Sequence, residues 1–387
     1  MNANMSAAPR PLPVLRQAID EVDGELLRLF NKRALLSLEV GRLKAATTNQ
    51  GKPMPIFDPR RESELLARLA ERNEGPLDNE HVMMLWREIL SVSRALQRPY
   101  SAAYLGPEGT FSYFAGVEYL GSATRFQPCG NFSEIFQRVA SGQCDCGIVP
   151  LENSLQGTVG QSFDLFARTN VIILGEFFAR ISHSLLSRAR SLLEIQKVYS
   201  HPQPLGQCGA WLRTHLPQAG LVAVESTAAA ARLAAEDPHA AAVGHYRLGE
   251  LIQLEALATG IEDNPSNWTR FVLIGAPDHA PLSKGSEGPH RSSLLFTLRD
   301  KPGALASVLE ALAGRGVNMR KLESRPLAGE CWKYVFFADV ECDMAEPAFA
   351  PLIERLGELC TSFRILGSYP EGPRLSKLGE EMPGAKS

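Results

Sequence analysis

The chain has 387 residues, of which 44% are hydrophobic and 21% are charged, proportions that are ordinary for a globular protein. Its formal net charge of −3 gives no indication of a nucleic-acid partner or of binding to a membrane surface. A chain of this length is expected to form roughly two to four domains, each with its own core.

Targeting signals and metal-binding motifs indicate where a chain works and what it binds. Residues 1–15 contain no apolar signal-peptide core, and no apolar run reaches the length of a membrane span. Seven cysteines, an odd number in a long chain, favour reduced thiols and a cytoplasmic protein. Cys144-Asp145-Cys146 is at most half of a metal site, because no second pair at zinc spacing accompanies it. We therefore expect no metal and no cofactor.

The first part of the chain has a helical period. Between residues 12 and 98, apolar residues such as Ile19, Val22 and Leu26 recur every three or four positions. A Gly- and Pro-rich stretch interrupts the pattern, and Asp58 followed by a proline is typical of a helix start. The predicted helices span residues 12–46, 59–73 and 78–97.

The rest of the chain changes period twice. From residue 102, short apolar runs alternate with helical stretches, which predicts an α/β sheet. A linker rich in Gly, Pro and Ser follows at residues 280–291. The last unit has the order β-α-β-β-α-β of a ferredoxin-like fold. Its predicted strands are 292–299, 317–325, 332–341 and 362–368, and its predicted helices are 302–314 and 347–359.

The long first helix carries cations at a spacing that suits a small anion. Arg33 and Lys44 are eleven residues apart, which places them about 20° apart around the helix and about 16 Å apart along it. Arg16 lies roughly 100° away from that face, so it is better placed to reach a site on a partner chain. In the third helix, Ser93 and Gln97 put polar groups on an apolar face, where they need a partner or a ligand.

These helices resemble the all-helical chorismate mutase family. The similarity covers about 85 residues, through "LRQAIDEVDGELLRLFNKRALLSLEVGRLK", "DPRRE" and "LWREILSVSRALQ". The resemblance implies a dimer that rearranges chorismate, a dicarboxylate, by holding it in a reactive conformation and stabilising charge on the breaking ether. It also implies contacts to the carboxylates from Arg16 of a partner subunit, Arg33 and Arg61, to the ether oxygen from Lys44 and Gln97, to the ring hydroxyl from Glu62, and further pocket positions at Asp58 and Ser93.

In the central part, polar clusters follow strand ends. "PLENS" places Asn153-Ser154 where they are expected to open a helix, and "EST" places Ser226-Thr227 before an alanine-rich helix. Thr269 lies where a loop enters an apolar strand, at the kind of edge where α/β proteins hold ligands. Each motif alone is also typical of an ordinary helix cap or strand.

Residues 102–280 resemble prephenate dehydratase, whose signature "TRF" stands here as Thr269-Arg270-Phe271. The resemblance implies two α/β lobes around a cleft, similar to periplasmic binding proteins. It implies that Thr269 orients or protonates the leaving hydroxyl of prephenate, within a polar network because threonine is a weak acid. The expected prephenate contacts are Asn153, Ser154, His201, Gln203, Ser226, Thr227, Thr269, Arg270 and Phe271.

The last unit resembles the phenylalanine-binding ACT domain in "PGALASVLEAL" and "LESRP". Gly303 is expected to allow close approach of backbone N–H groups to a ligand carboxylate at a helix start. The resemblance implies that L-phenylalanine is an effector that inhibits the enzyme. Its expected contacts are Gly303, Ala304, Leu305, Asn318, Glu323 and Ser324.

Together these features predict a bifunctional enzyme that forms a homodimer or a higher homo-oligomer. A prephenate dehydrogenase partner is not expected, because no strand is followed by a Gly-x-Gly-x-x-Gly loop. An alternative is a working mutase fused to a non-catalytic sensor of aromatic ligands, which an intact Thr269 argues against. The predicted parts are a helical chorismate mutase domain (10–99), a two-lobed α/β prephenate dehydratase domain (102–280), a linker (281–291), a ferredoxin-like α+β ACT domain (292–370) and a disordered tail (371–387).

Overall fold

A computed structural model describes residues 10–49, 52–279, 288–327 and 333–375. The helices are α1 (Leu12–Ala46), α2 (Pro59–Glu71), α3 (Asn79–Gln97), α4 (Phe111–Leu120), α5 (Phe132–Ala140), α6 (Gly160–Arg168), α7 (Pro202–Gln207), α8 (Gly209–His215), α9 (Thr227–Glu236), α10 (Arg247–Ile252), α11 (Ala304–Ala313) and α12 (Ala350–Leu359). The strands are β1 (Thr48–Asn49), β2 (Lys52–Pro53), β3 (Ser101–Leu105), β4 (Arg125–Cys129), β5 (Cys146–Asn153), β6 (Gly157–Thr158), β7 (Ile172–Arg180), β8 (Ser184–Ser187), β9 (Lys197–Ser200), β10 (Gly220–Ala223), β11 (Ala240–Gly244), β12 (Glu255–Thr259), β13 (Trp268–Gly275), β14 (His290–Thr297), β15 (Met319–Pro326), β16 (Tyr334–Val340), β17 (Ser362–Pro370) and β18 (Arg374–Leu375).

The first three helices form the N-terminal unit, and their ends lie within two residues of the predicted ones. Asp58 caps α2, because its Oδ1 accepts a hydrogen bond from the Arg61 backbone N–H at 3.3 Å. No residue of α1 is buried in the single chain, and Ile19, Val22 and Leu27 are each more than half exposed. A long apolar row of this kind indicates a protein interface.

The central unit contains two sheets, which form two lobes. One sheet has seven strands, with the path β18-β7-β13-β5-β3-β4 and β6 paired to β5. The other has five strands in the order β10-β9-β11-β8-β12. The helix α4 packs on the first sheet and α9 on the second. The predicted two-lobed α/β architecture is therefore confirmed.

The C-terminal unit is an antiparallel sheet in the order β15-β16-β14-β17, with α11 and α12 packed together on one face. All six predicted elements of the ferredoxin-like unit are present. The other face of the sheet shares a hydrophobic cluster with the seven-stranded lobe, which includes Leu295, Phe337 and Tyr369 on one side and Phe163 and Val272 on the other. The two units therefore have a continuous core.

The C-terminal segment differs from the expectation of disorder from residue 371 onward. Arg374 and Leu375 form β18, which pairs in parallel with β7, and Leu375 is only 1% exposed. Burying this leucine adds apolar contacts that the polar composition of the tail did not indicate. Residues 376–387 of the predicted tail, and residues 281–287 of the predicted linker, lie outside the described residues.

A buried ion pair joins the first and last units. Arg60 of α2 is 2% exposed, and its Nη1 and Nη2 donate to the two carboxylate oxygens of Asp343 at 2.6 and 2.9 Å. Arg60 Nη2 also donates to the Ser368 carbonyl oxygen at 3.0 Å. Such two-pronged pairs fix orientation strongly, so the helical unit is held against the ferredoxin-like sheet.

Candidate active sites

The N-terminal unit contains a cavity of about 470 Å³ between α1, α2 and α3. Cations and apolar residues share its wall, as the sequence predicted from the spacing of Arg33 and Lys44. Seven of the eight residues predicted for this site line it, namely Arg33, Lys44, Asp58, Arg61, Glu62, Ser93 and Gln97.

Two cations on α1 are held at fixed positions in this wall. Arg33 Nη1 donates to Ser93 Oγ and to the Ile89 carbonyl oxygen. Lys44 Nζ donates to the carbonyl oxygens of Pro55 and Ile56 at 2.8 and 3.0 Å. An ammonium has three N–H groups, so one remains for a ligand.

Burial changes the acidity of both cations. It lowers the pKa of the Lys44 ammonium below that of a free lysine, a shift that the Asp58 carboxylate opposes and the Arg61 guanidinium increases. Burial also lowers the pKa of Arg33, against the attraction of Glu62. Partial desolvation makes each cation a stronger partner for an anion than it would be in water.

Arg94 also lines this pocket and was missed by sequence reasoning. Its Nη1 bonds both carboxylate oxygens of Glu62 at 2.5 and 2.6 Å, and Nη2 donates to the Leu120 carbonyl oxygen of α4. The signal was its helical spacing, since Arg94 lies four residues after Leu90 and three before Gln97, on the face that carries the pocket. Arg94 links the helical pocket to the central unit.

Gln97 contributes a neutral amide to the pocket wall. Its Nε2 donates to the Ser93 carbonyl oxygen at 3.2 Å, while its Oε1 is buried without a hydrogen-bond partner among the described residues. Amide oxygen and nitrogen exchange places on rotation about the last side-chain bond, so either atom can face a ligand.

Arg16 does not reach this pocket. It lies seventeen residues before Arg33 on the same straight helix, about 26 Å along the axis, and it is exposed. Its predicted role therefore depends on a second subunit and stays a prediction.

A second cavity, of about 530 Å³, lies between the two lobes of the central unit. It collects residues from strand ends and helix starts that are more than 100 positions apart in sequence. The predicted residues that line it are Asn153, His201, Gln203, Ser226, Thr227, Thr269 and Phe271.

Thr269 sits in a hydrogen-bond network that sets the direction of its hydroxyl. Asn153 Nδ2 donates to Thr269 Oγ1 at 3.0 Å and to Asn267 Oδ1 at 2.8 Å. The Oδ1 of Asn153 accepts from the backbone N–H groups of Leu155 and Gln156, which fixes the orientation of the amide. Because Thr269 Oγ1 accepts from Asn153, its own proton is available for donation.

Two expected substrate contacts lie outside the cavity wall. Ser154 Oγ bonds the Ser266 carbonyl oxygen and the Trp268 backbone N–H, so it ties two loops together. Arg270 points to the opposite face of β13 from its neighbour Thr269, because side chains alternate along a strand. The structure therefore argues against a direct substrate contact for either residue.

Arg270 is 5% exposed and lies in a buried charge cluster at the boundary with the ferredoxin-like unit. Its Nε donates to Glu176 at 2.6 Å, Nη1 to Asp339, and Nη2 to the Tyr369 hydroxyl at 3.2 Å. Burial, the largest single effect, lowers the pKa of Arg270, but Asp339, Tyr369 and Glu176 together outweigh it and hold the pKa well above the ordinary value. Arg270 therefore anchors β13 to the ferredoxin-like unit.

Helix starts from both lobes face the cavity, among them those of α4 and α9. Ser226 caps α9, as predicted, by accepting from the Ala229 backbone N–H at 3.0 Å, and Thr110 caps α4 in the same way through Tyr113. The positive ends of both helices are thereby directed at the space between the lobes. The expected helix start at Asn153 is wrong, because this residue ends β5 and its side chain closes a turn instead.

Further cavity residues were missed because nothing in their local sequence marks them. His183 and Gln207 meet at 2.8 Å through Nε2 and Oε1, and burial lowers the pKa of His183. Burial also lowers the pKa of the neighbouring His245 to about 3, so that ring is neutral. The remaining lining residues with polar side chains that the sequence did not indicate are Thr110, Ser112, Gln156, Thr158 and Glu225.

The predicted effector residues fall into two groups on the ferredoxin-like unit. Gly303 precedes α11 with φ of +79°, and a Cβ there would meet nothing within 4 Å, so backbone conformation and not close packing requires glycine. Glu323 bonds Thr158 and Asn318 bonds Glu341, while no described hydrogen bond joins either to Gly303. The other predicted effector positions are Ala304, which is buried, Leu305, which packs on the domain core, and Ser324, which is exposed.

Within residues 10–49, 52–279, 288–327 and 333–375, no group of three His, Cys, Asp or Glu side chains is arranged to hold a metal ion. Over the same described residues, no helix combines the length and apolar character that crossing a membrane requires.

Comparison with known proteins agrees with this architecture. Three protein-family models match in sequence order: Chorismate mutase type II at residues 15–98, Prephenate dehydratase at residues 102–279, and ACT domain at residues 292–358. A bifunctional chorismate mutase/prephenate dehydratase of Pseudomonas aeruginosa is 37% identical over 93% of this chain and 98% of that protein. The corresponding protein of Aquifex aeolicus is 36% identical with the same coverage. The crystal structure of prephenate dehydratase from Arthrobacter aurescens in complex with L-Phe has 33% identity and a TM-score of 0.64, covering 70% of this chain and 90% of that one.

A cation-lined helical pocket, a two-lobed unit with a polar cavity and a ferredoxin-like unit define a multidomain enzyme with two separate sites for small molecules. The chain belongs to the family of bifunctional chorismate mutase/prephenate dehydratases. It combines an isomerase and a carbon–oxygen lyase in one polypeptide.

Proposed function

We propose that the helical pocket rearranges chorismate to prephenate and that the interlobe cavity converts prephenate to phenylpyruvate, carbon dioxide and water, in phenylalanine biosynthesis. The observation that carries the proposal is the convergence of both sets of predicted residues on two separate cavities of ligand size. A non-catalytic sensor fused to a mutase would not need Asn153 to orient the Thr269 hydroxyl so that its proton can be donated to a ligand.

The mutase reaction needs no nucleophile, so the pocket acts by shape and charge. Arg33 and Arg61 hold the substrate carboxylates and favour the folded, reactive conformer. Lys44 has a free N–H for the ether oxygen, where negative charge develops as the C–O bond breaks. Gln97 completes this contact through its amide and stays neutral at every pH of interest.

The dehydratase reaction needs a hydrogen bond to the leaving hydroxyl and anchors for two carboxylates. The ring carboxylate leaves as carbon dioxide, its bonding electrons complete the aromatic ring, and the hydroxyl takes up one proton from solvent and leaves as water. Thr269 donates to that hydroxyl, and Asn153 positions Thr269. A threonine hydroxyl is too weak an acid to be the sole proton source, so it orients and stabilises the leaving group.

The anchors for the prephenate carboxylates are neutral donors. The N-termini of α4 and α9 supply backbone N–H groups from opposite lobes. Gln207 Nε2 is buried without a partner among the described residues, and it borders the same cavity. A substrate that binds both helix starts draws the lobes together and excludes water from the reaction.

L-phenylalanine inhibits the enzyme through the C-terminal unit in this proposal. The Arthrobacter relative was crystallised with L-Phe, and the ACT domain is shared. The effector carboxylate binds the backbone at the start of α11, beside Gly303, and Glu323 and Asn318 meet its ammonium group. These two parts are brought together by a neighbouring subunit, since no described contact joins them within one chain.

The assembly in the proposal is a homodimer or a higher homo-oligomer. The exposed apolar row of α1 then becomes buried, and Arg16 of a partner subunit reaches the pocket that contains Arg33. The proposed compartment is the cytoplasm, where the six described cysteines, none of them in a disulfide, remain reduced.

The test is to incubate the purified full-length protein with chorismate and to follow ultraviolet spectra over time, with and without L-phenylalanine. Appearance of phenylpyruvate, slowed by phenylalanine, is the expected result. Accumulation of prephenate with no phenylpyruvate would leave the central unit a sensor and overturn the dehydratase assignment.

A further inference from the structure

The hairpin that follows β5 forms part of the wall of the interlobe cavity. This cavity hairpin, residues 153–158, contains Asn153, which holds Thr269, and Thr158, which lines the cavity. Its Gln156 also lines the cavity, and Gln156 Oε1 accepts from Gln203 Nε2 of the opposite lobe at 2.7 Å. The cavity hairpin therefore contacts both the catalytic threonine and the other lobe.

The same hairpin is bonded to the ferredoxin-like unit. Thr158 Oγ1 donates to Glu323 Oε2 at 3.1 Å and accepts from Lys321 Nζ at 3.1 Å. Lys321 also pairs with Glu152, the strand partner of Thr158, at 2.9 Å. The Lys321 side chain is 12% exposed, so these contacts are partly desolvated and stronger than surface pairs.

Glu323 thus has two roles at one position. It belongs to the predicted effector site, where its carboxylate would meet an ammonium group, and it is the acceptor for a hydroxyl in the cavity wall. A positive charge arriving at Glu323 competes with the Thr158 hydroxyl for the carboxylate, and Lys321 then remains bonded only to Thr158 and Glu152. Effector binding would therefore weaken the bonds that hold the cavity hairpin in place.

We propose that Thr158 is the positioning residue through which the effector site controls the interlobe cavity, by way of its bonds to Lys321 and Glu323. The proposal rests on the proposed function, because it takes the effector to be an amino acid with a free ammonium group. When Glu323 binds the effector, Thr158 loses this acceptor and the cavity hairpin shifts. The shift moves Asn153 away from Thr269 and Gln156 away from Gln203, and dehydratase activity falls. The coupling free energy between two binding sites is the same in both directions, so a ligand in the cavity also changes the affinity of the effector site.

The main experiment uses the full chain and two variants that act on opposite sides of the junction. Thr158→Val removes the hydroxyl and keeps the shape, and Lys321→Met removes the ammonium and keeps the long side chain. Dehydratase rates are measured with and without phenylalanine and expressed as a ratio for each protein, while calorimetry measures phenylalanine binding. Asp164→Asn is the matched control. It removes the ion pair between Asp164 of α6 and Arg325, which lies on the same strand β15 as Lys321, and neither residue lines the cavity.

In both junction variants we expect phenylalanine still to bind while its inhibition falls by about fivefold or more, the lower end of ordinary allosteric coupling. The control variant should keep the inhibition of the unaltered protein. Unchanged inhibition in Thr158→Val and in Lys321→Met would overturn the proposal. If the unaltered protein failed to bind phenylalanine at all, the fault would lie in the proposed function.

Reciprocity gives a second measurement that does not depend on catalytic rate. Phenylpyruvate, the product, is added as a cavity ligand, and phenylalanine affinity is compared with and without it by calorimetry. The unaltered protein should show a lower phenylalanine affinity when phenylpyruvate is present, and Thr158→Val should show the same affinity in both conditions. A difference that persists undiminished in Thr158→Val would place the coupling elsewhere.

Discussion

The two candidate active sites bind anionic substrates of similar size by opposite means. Three cations, Arg33, Lys44 and Arg61, line the helical pocket. Among its described lining residues, the interlobe cavity has no lysine or arginine, and its polar groups are helix starts, amides, hydroxyls, two histidines and the Glu225 carboxylate. The cavities are nearly equal in volume, at about 470 and 530 Å³.

This difference follows from the chemistry of each step. A pericyclic rearrangement gains most from fixed charges beside a breaking ether, which three rigid helices supply. A decarboxylating dehydration must release a carboxylate as neutral carbon dioxide, and a strong cation at that carboxylate would stabilise the substrate against the reaction. Neutral donors that hold the other groups therefore suit the second site.

The largest expected effect tests the charged pocket. Lys44→Ala removes the ammonium whose third N–H is not used by the carbonyl oxygens of Pro55 and Ile56, so mutase kcat/KM should fall by about a thousandfold. Mutase and dehydratase rates of the same preparation are measured, since dehydratase activity should be retained. Lys32→Ala, an exposed cation on the same helix, is the control and should stay near the unaltered rate.

Thr269→Ala tests the neutral cavity, and the expected loss in dehydratase kcat is about a hundredfold, at the lower end for a hydrogen bond made to a leaving group. Thr269→Ser should recover most of the rate, because it restores the hydroxyl that Asn153 positions. Mutase activity in both variants is the internal control for folding. Full dehydratase turnover in Thr269→Ala would contradict the assigned role.

A smaller difference between the two sites is expected in how their KM values depend on ionic strength. Raising salt from about 0.05 to about 0.5 M shortens the screening length several-fold, so mutase KM should rise by about threefold or more. The dehydratase KM should change less, because its donors are neutral. Both KM values are measured in the same buffers, with chorismate for the mutase and prephenate for the dehydratase. Equal salt dependence of the two KM values would contradict the proposed difference in how the two sites bind anions.

The smallest expected effect is a shift in a pH profile. Burial lowers the pKa of Lys44, and the mutase needs this residue protonated, so activity should be lost on the alkaline side at a lower pH than a free lysine would give. Plots of mutase kcat/KM against pH measure this limb. Dehydratase activity of the same protein should not share it, since no lysine lines that cavity among the described residues.

The sequence predicted the helical pocket more completely than the interlobe cavity. A helix fixes the relative positions of residues such as Arg33 and Lys44 by arithmetic alone, and short connections limit how three helices pack. Arg94 was missed there, because its carboxylate partner lies on another helix. In the interlobe cavity, His183 and Gln207 carry no local signal, since strand and loop sequences do not state which loops will meet.

Arg270 shows the limit of motif reasoning most clearly. The TRF signature placed it beside Thr269 in sequence, yet strand alternation turned it away from the cavity and into a cluster with Glu176 and Asp339. Composition could not reveal this, because Asp339 comes from a different domain.

The sequence by itself determined the order of the three units, their secondary structure and the residue types that each reaction needs, because these depend on local period and chemistry. The tertiary structure alone decided which of those residues share a cavity, that Leu375 completes a sheet, and that Glu323 touches the cavity wall through Thr158. Contacts between distant segments arise from the packing of complete domains, and no local pattern records them.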